Sequence, residues 1–159
     1  MINNGFYASP IGNILLTADH EALISLKFSK EIPDNCKNQS SPIIEESIIQ
    51  LRMYFSRQLQ KFELPLKFKA TDFQKHVFEE VQKIPFGETV TYLQLARLMG
   101  STRLTRAVAG ANAANALLIL IPCHRVVGKN GTLTGYSGEL WRKEWLLNHE
   151  NGLHSLLLS

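Results

Sequence analysis

Residues Thr91–Asn115 read TYLQLARLMGSTRLTRAVAGANAAN. Thr91 and Gln94 stand at capping-box spacing, in which each side chain satisfies the other's free backbone amide at a helix start. The apolar pattern then runs to Gly100, a residue type that ends helices because it takes the left-handed conformation without steric cost. Ser101 follows as the cap of a second helix. Two helices joined across one glycine turn read as a helix-turn-helix. In the second helix Leu104, Val108 and Ala111 share one face, which packs inward. Arg103, Arg106, Gly110 and Ala113 share another, basic at one end and made of small residues beyond. Small side chains allow close approach to a groove, or to a neighbouring helix. The arginines favour DNA.

The elements on either side fit this reading. Upstream, TDFQKHVFEEVQKIP repeats the capping box with Thr71 and Gln74 and carries a stripe of Phe73, Val77, Val81 and Ile84. Downstream, RKEWLLNHE forms a closing helix that ends at Gly152. The first half differs. YASPIGNILLTADHEALISLKF reads as short strands with turns at SPIG and ADHE, and Ile24, Leu26 and Phe28 alternate with Ser25 and Lys27. A polar loop from Ser29 to Ser41 precedes a helix in PIIEESIIQLRMYFSRQL, with Ile44, Ile48, Leu51, Phe55 and Leu59 at helical spacing. PLKFKA reads as a linker. The expected fold class is α+β: a small antiparallel sheet with one helix over residues 1–66, then a mostly helical domain over 67–159.

Composition narrows the function. Nothing in the 159 residues approaches the length of a bilayer span, and the first residues, MINNGFYASP, lack the pattern of a secretory signal, so the expected compartment is the cytoplasm. Two cysteines make no disulfide framework, and no Cys/His cluster has zinc-ligand spacing. Net charge is only +3, but from Thr89 to Gly138 there is no Asp or Glu, while Arg97, Arg103, Arg106, Arg125 and Lys129 all fall there. Such a window reads either as a mildly basic face or as a surface for an anionic partner, with nucleic acid first in line.

Within that window lies IPCHRVV, Ile121–Val127. A cysteine reacts as its thiolate and needs a base or a positive neighbour. His124 and Arg125 follow Cys123 directly, Pro122 stiffens the backbone before it, and the apolar run ALLILI (Ala116–Ile121) reads as a buried strand. Adjacent side chains usually point apart, so a bridging water is the expected link between thiol and imidazole. A buried structural cysteine at a strand end fits the tripeptide as well.

IPCHRVV closely resembles the active-site motif of the O6-alkylguanine-DNA alkyltransferases, the methylated-DNA–protein-cysteine methyltransferases. TVTYLQLA, RAVAGANAAN, GTLTGYSG and KEWLLNHE fall in that family's order and spacing, and SPIG…LL…D…LISLKF matches more weakly. The resemblance implies a ribonuclease-H-like sheet domain followed by a winged helix-turn-helix-like catalytic domain. It implies single-use transfer of an alkyl group from O6-alkylguanine, or O4-alkylthymine, in double-stranded DNA to Cys123, by a monomer that needs no cofactor and no metal.

The same resemblance implies roles for residues. His124 and Glu150 complete a relay to Cys123 through water, and Asn115 pins the turn after the recognition helix. Arg106 enters the duplex in place of an extruded nucleotide; the basic, small-residue helix face and the acid-free window put Arg103, Gly110, Ala113 and Arg125 at the DNA surface as well. Tyr92 assists flipping and donates a proton to the base. Asn112, Val126, Tyr136 and Ser137 line the base pocket with Tyr92, and the backbone at Cys123 and Val126 reads the exocyclic amine. Asn112 stands where some members carry methionine, and Ala116 and Leu118 where some carry proline; these changes bear on which alkyl groups fit. Taken singly, Tyr92 and Tyr136 also read as core aromatics, Asn115 as a helix terminator and Glu150 as a solvated charge. Rival readings are a sensor of alkylated bases without transfer, a cysteine hydrolase and a helix-turn-helix regulator.

Overall fold

Residues 1–36 and 41–152 are described in the computed structural model. The amino-terminal strands form an antiparallel meander, β1 (Asn3–Ser9), β2 (Gly12–Ala18) and β3 (Leu23–Ser29), in the order β1-β2-β3. Ser9 pairs with Gly12 across the SPIG turn and its Oγ donates to the Gly12 oxygen at 2.6 Å. Gly12 holds φ at 117°, a conformation that favours glycine. Ile14, Leu16 and Ala18 of β2 alternate into the core. On β3 the expected alternation breaks. Thr17 pairs with Ser25 but Ala18 pairs with Leu23, so Ile24 is an extra residue in the ladder. That bulge switches faces, burying Leu23 along with Leu26 and leaving Ile24 only half-buried.

Helix α1 (Pro42–Phe55) starts at Ser41, whose side chain accepts from the Ile44 amide at 3.2 Å. Its buried stripe is Ile44, Ser47, Leu51 and Tyr54. Ile48 and Phe55 are only half-buried and Leu59 lies beyond the helix, which ends before Arg57 at φ 64°. Gly5 permits close contact with α1: a Cβ there would lie 2.6 Å from Ile44 Cγ2. Of the expected polar loop, Asp34–Cys36 forms a 3-10 turn, and residues 37–40 lie outside the described residues. The expected linker is tied down. The Leu23 amide donates to Pro65, the Lys67 amide to Leu23, and Lys67 Nζ reaches Asp19 at 2.8 Å. The first compact unit therefore runs Met1–Phe68, two residues past the expected boundary, and the second starts at Lys69.

In the second unit both capping boxes form, at Thr71 for α2 (Asp72–Gln82) and at Thr91 for α3 (Tyr92–Leu98). Gly100 turns the chain at φ 118°. Ser101 caps a 3-10 turn, Thr102–Leu104, rather than the next α-helix, which begins at Thr105: α4 (Thr105–Ala113). The Thr105 hydroxyl donates to the Thr102 carbonyl at 2.6 Å and closes that tighter turn. Val108 and Ala111 are buried where α4 packs against α2 and α3. Strands β4 (Val90–Thr91) and β5 (Val126–Val127) pair in parallel. Helix α5 (Leu140–Glu150) closes the unit.

ALLILI is not a strand. Leu117–Ile121 is buried, but the Leu120 amide bonds Leu118, the Ile121 amide bonds Leu117 and Ile119 stands at φ 73°. An apolar run can be buried as a knot of turns if its own backbone groups are satisfied locally. Among the described residues no helix is long and apolar enough to cross a membrane.

Candidate active site

Cys123 opens the 3-10 turn Cys123–Arg125 and is 3% exposed. Asn115, just beyond the end of α4, builds its setting. Asn115 Oδ1 accepts from the Leu117 amide at 2.9 Å. Its Nδ2 donates to the Ile121 oxygen at 2.9 Å and to Cys123 Sγ at 3.2 Å. One side chain thus ties both ends of the apolar turn and touches the sulfur. Burial raises the Cys123 thiol to about 11, against smaller lowering effects of Asn115 and Lys143. At neutral pH the group is a thiol and needs a base to react.

His124 is fully buried, and its Nε2 lies 2.6 Å from Glu150 Oε2. Burial lowers its proton affinity, against the raising effect of Glu150, so the ring is neutral. The carboxylate fixes the tautomer with the proton on Nε2 and leaves Nδ1, which has no partner among the described residues, as the basic atom. Glu150 comes from the last turn of α5. Burial raises its pKa, but His124 and Arg125 more than offset that and hold it well below the ordinary carboxylate range. The Gly87 amide also donates to Glu150 Oε1, at 3.2 Å.

Arg125 corrects the sequence reading. Expected at the DNA surface, it is 6% exposed. Its Nε donates to Glu150 Oε1 at 2.8 Å, its Nη2 to Glu150 Oε2 at 3.0 Å and its Nη1 to the Ile84 oxygen at 2.7 Å. The 3-10 turn directs it inward with His124, so one carboxylate serves both.

Tyr92 opens α3, and its hydroxyl donates to the Thr134 oxygen at 3.2 Å. Lys143 approaches from α5, and the sequence reading gave it no role. It is fully buried, its Nζ lies 2.7 Å from the Thr134 oxygen and 3.5 Å from the Tyr92 hydroxyl, and burial lowers its pKa to about 8. A signal was present: Lys143, Leu146 and Glu150 share one face of the closing helix, and charges on an otherwise buried face have partners. Asn112 is buried and its Nδ2 donates to the Cys123 oxygen at 3.2 Å. Val126 is buried on β5, Tyr136 is buried with its hydroxyl unpartnered among the described residues, and Ser137 beside it is exposed.

Arg103, Arg106, Gly110 and Ala113 are all exposed, on the 3-10 turn and α4. A Cβ at Gly110 would meet nothing within 4 Å among the described residues, so helix packing there does not demand a glycine.

A buried thiol held by an amide, followed in the same 3-10 turn by a neutral imidazole with a carboxylate on its Nε2, defines a candidate cysteine-nucleophile site. Residues 72–152 match the family model for the 6-O-methylguanine DNA methyltransferase DNA binding domain, and residues 2–68 that for its ribonuclease-like domain. The methylated-DNA–protein-cysteine methyltransferase of Methanosarcina acetivorans is 42% identical over 149 residues, which cover 91% of this chain and 95% of that one. The constitutive one of Bacillus subtilis is 37% identical over 150 residues, covering 89% and 91%. The crystal structure of Mycobacterium tuberculosis OGT in complex with DNA aligns with a TM-score of 0.85 at 34% identity, covering 95% of this chain and 94% of that one. The chain belongs to the 6-O-methylguanine DNA methyltransferase family, the methylated-DNA–protein-cysteine methyltransferases.

Proposed function

We propose that the chain repairs double-stranded DNA by taking the alkyl group of O6-alkylguanine onto Cys123, once per molecule. The observation that carries this is the Cys123 thiol held by Asn115 on the same 3-10 turn as a His124 ring that Glu150 keeps in one tautomer. Sγ attacks the alkyl carbon in line with the carbon–oxygen bond. The sulfur–carbon bond forms as that bond breaks, the thiol proton passes through a water to His124 Nδ1, and the departing base takes a proton from the Tyr92 hydroxyl. Lys143 beside that hydroxyl stabilises the phenolate that forms. The thioether has no easy leaving group, so the thiol is not regenerated.

To reach Cys123 a base must leave the stack, at a cost of a few kcal/mol. In this reading α3 and α4 act as a helix-turn-helix that lays its second helix in the minor groove. Arg106 fills the vacated space, Arg103 holds phosphate, and Gly110 and Ala113 let the backbone come close. Tyr92, Asn112, Val126, Tyr136 and Ser137 receive the base. O4-alkylthymine is the second substrate, and the acting species is a monomer in the cytoplasm. Mixing with a duplex containing O6-methylguanine, followed by peptide mapping, tests the reading. One methylene equivalent on the peptide holding Cys123 is expected; release of methanol with the thiol unchanged contradicts it.

A further inference from the structure

The backbone oxygen of Cys123 is already occupied. It accepts from the Val126 amide and from Asn112 Nδ2. A carbonyl oxygen has two lone pairs, so both are in use. The other end of the same amide is the reverse case. Asn112 is 2% exposed, and its Oδ1 is buried with no hydrogen-bond partner among the described residues. The amide cannot gain by turning over, because Oδ1 would then face the Cys123 oxygen, acceptor against acceptor. Its position borders both the acceptor thiol's backbone and the Tyr92 hydroxyl. Native structures rarely leave a buried acceptor unpaired, so this one calls for a donor that the described side chains and backbone do not supply.

The lesion chemistry identifies that donor. Alkylation at O6 removes the hydrogen from N1 of guanine, and N9 carries the sugar. The 2-amino group is then the only N–H donor on the base. O4-alkylthymine has lost the hydrogen on N3 and has no donor at all. We infer that Asn112 Oδ1 accepts from the 2-amino group of O6-alkylguanine and so biases the chain towards guanine over thymine lesions. This rests on the base-receiving role proposed above. Of the two backbone positions that the resemblance implies for reading the amine, Cys123 and Val126, it replaces the Cys123 oxygen by a side chain. Among the described residues, two other buried side-chain polar atoms lack partners. The Tyr136 hydroxyl can donate or accept, so either base can satisfy it, and His124 Nδ1 belongs to the proton relay.

Removing the amine from the substrate and the amide from the protein separates the contact from general packing. Single-turnover transfer is measured for wild type and Asn112→Leu on duplexes carrying O6-methylguanine or O6-methylhypoxanthine, the same lesion without the 2-amino group. Wild type should prefer the amine-bearing base by about tenfold, the effect of one hydrogen bond whose loss strands a buried acceptor. Asn112→Leu should bring the ratio close to one, and Asn112→Ala, which only removes atoms, should do the same if the leucine does not fold. O4-methylthymine should behave as O6-methylhypoxanthine does. A variant that keeps the wild-type ratio, or a wild type with no preference, overturns the inference while leaving the proposed function intact. No transfer by wild type from O6-methylguanine would overturn both.

Discussion

Arg125 and Glu150 are joined by two hydrogen bonds, Nε to Oε1 at 2.8 Å and Nη2 to Oε2 at 3.0 Å, with both side chains almost wholly buried. The pair makes Glu150 a structural anchor as well as the partner of His124. Glu150→Gln leaves a guanidinium without its counter-charge, and breaking a buried pair in this way costs about 3–5 kcal/mol. Denaturant unfolding should show that loss. The carboxylate also raises the proton affinity of His124. In wild type, transfer should therefore fall as pH drops through the protonation of His124, which burial places below the ordinary imidazole range. In Glu150→Gln that acid limb should move to still lower pH while the plateau rate drops. An unchanged rate and profile would mean that His124 is not the base.

Arg106→Ala should slow transfer from a modified base in duplex DNA more than transfer from the free modified base. Only the duplex requires an extruded nucleotide to be replaced. Arg106 is exposed, so a stability effect should not confuse the comparison. Equal losses on both substrates would count against insertion.

Gly110 separates folding from DNA approach. It lies within α4 with open space where a Cβ would be, so Gly110→Ala should stabilise the protein by about 0.5–1 kcal/mol. Gly110→Leu should also keep the fold but weaken duplex binding by tenfold or more, since the longer side chain holds the helix off the groove. Full duplex affinity in the leucine variant would place the groove elsewhere.

The alkylated protein should be less stable than the free protein. Cys123 is buried, and its sulfur receives the Asn115 Nδ2 contact. An added methyl overpacks the site and displaces that contact, at about 1–3 kcal/mol. Thermal melts before and after reaction should show a lower midpoint; an equal or higher one would show that the site has room for the group.

The local signals in the sequence were strong where chemistry is local. Both capping boxes, the glycine stop at Gly100 and the SPIG hairpin are short-range rules, and all of them form. Signals that depend on tertiary direction failed. An acid-free window says that Arg125 lacks a near acidic neighbour in sequence, not that it faces outward; its partner arrives from α5. Lys143 carried a signal only in the face it shares with Leu146 and Glu150, and its partners Thr134 and Tyr92 arrive from outside its helix. A short apolar run does not distinguish a strand from buried turns, and here Asn115 decides by taking up the Leu117 amide and the Ile121 carbonyl. The bulge at Leu23 has no sequence mark, because every residue involved suits a strand.

The central claim is single-use transfer to Cys123. Its most direct measurement is the amount of methyl moved when duplex DNA carrying O6-methylguanine is in large excess over protein, followed by intact mass over time. The account predicts that repair stops at one methyl per chain, with every chain heavier by one methylene equivalent and Cys123→Ser unreactive. Continued repair beyond one equivalent, or transfer by Cys123→Ser at the wild-type rate, would contradict it.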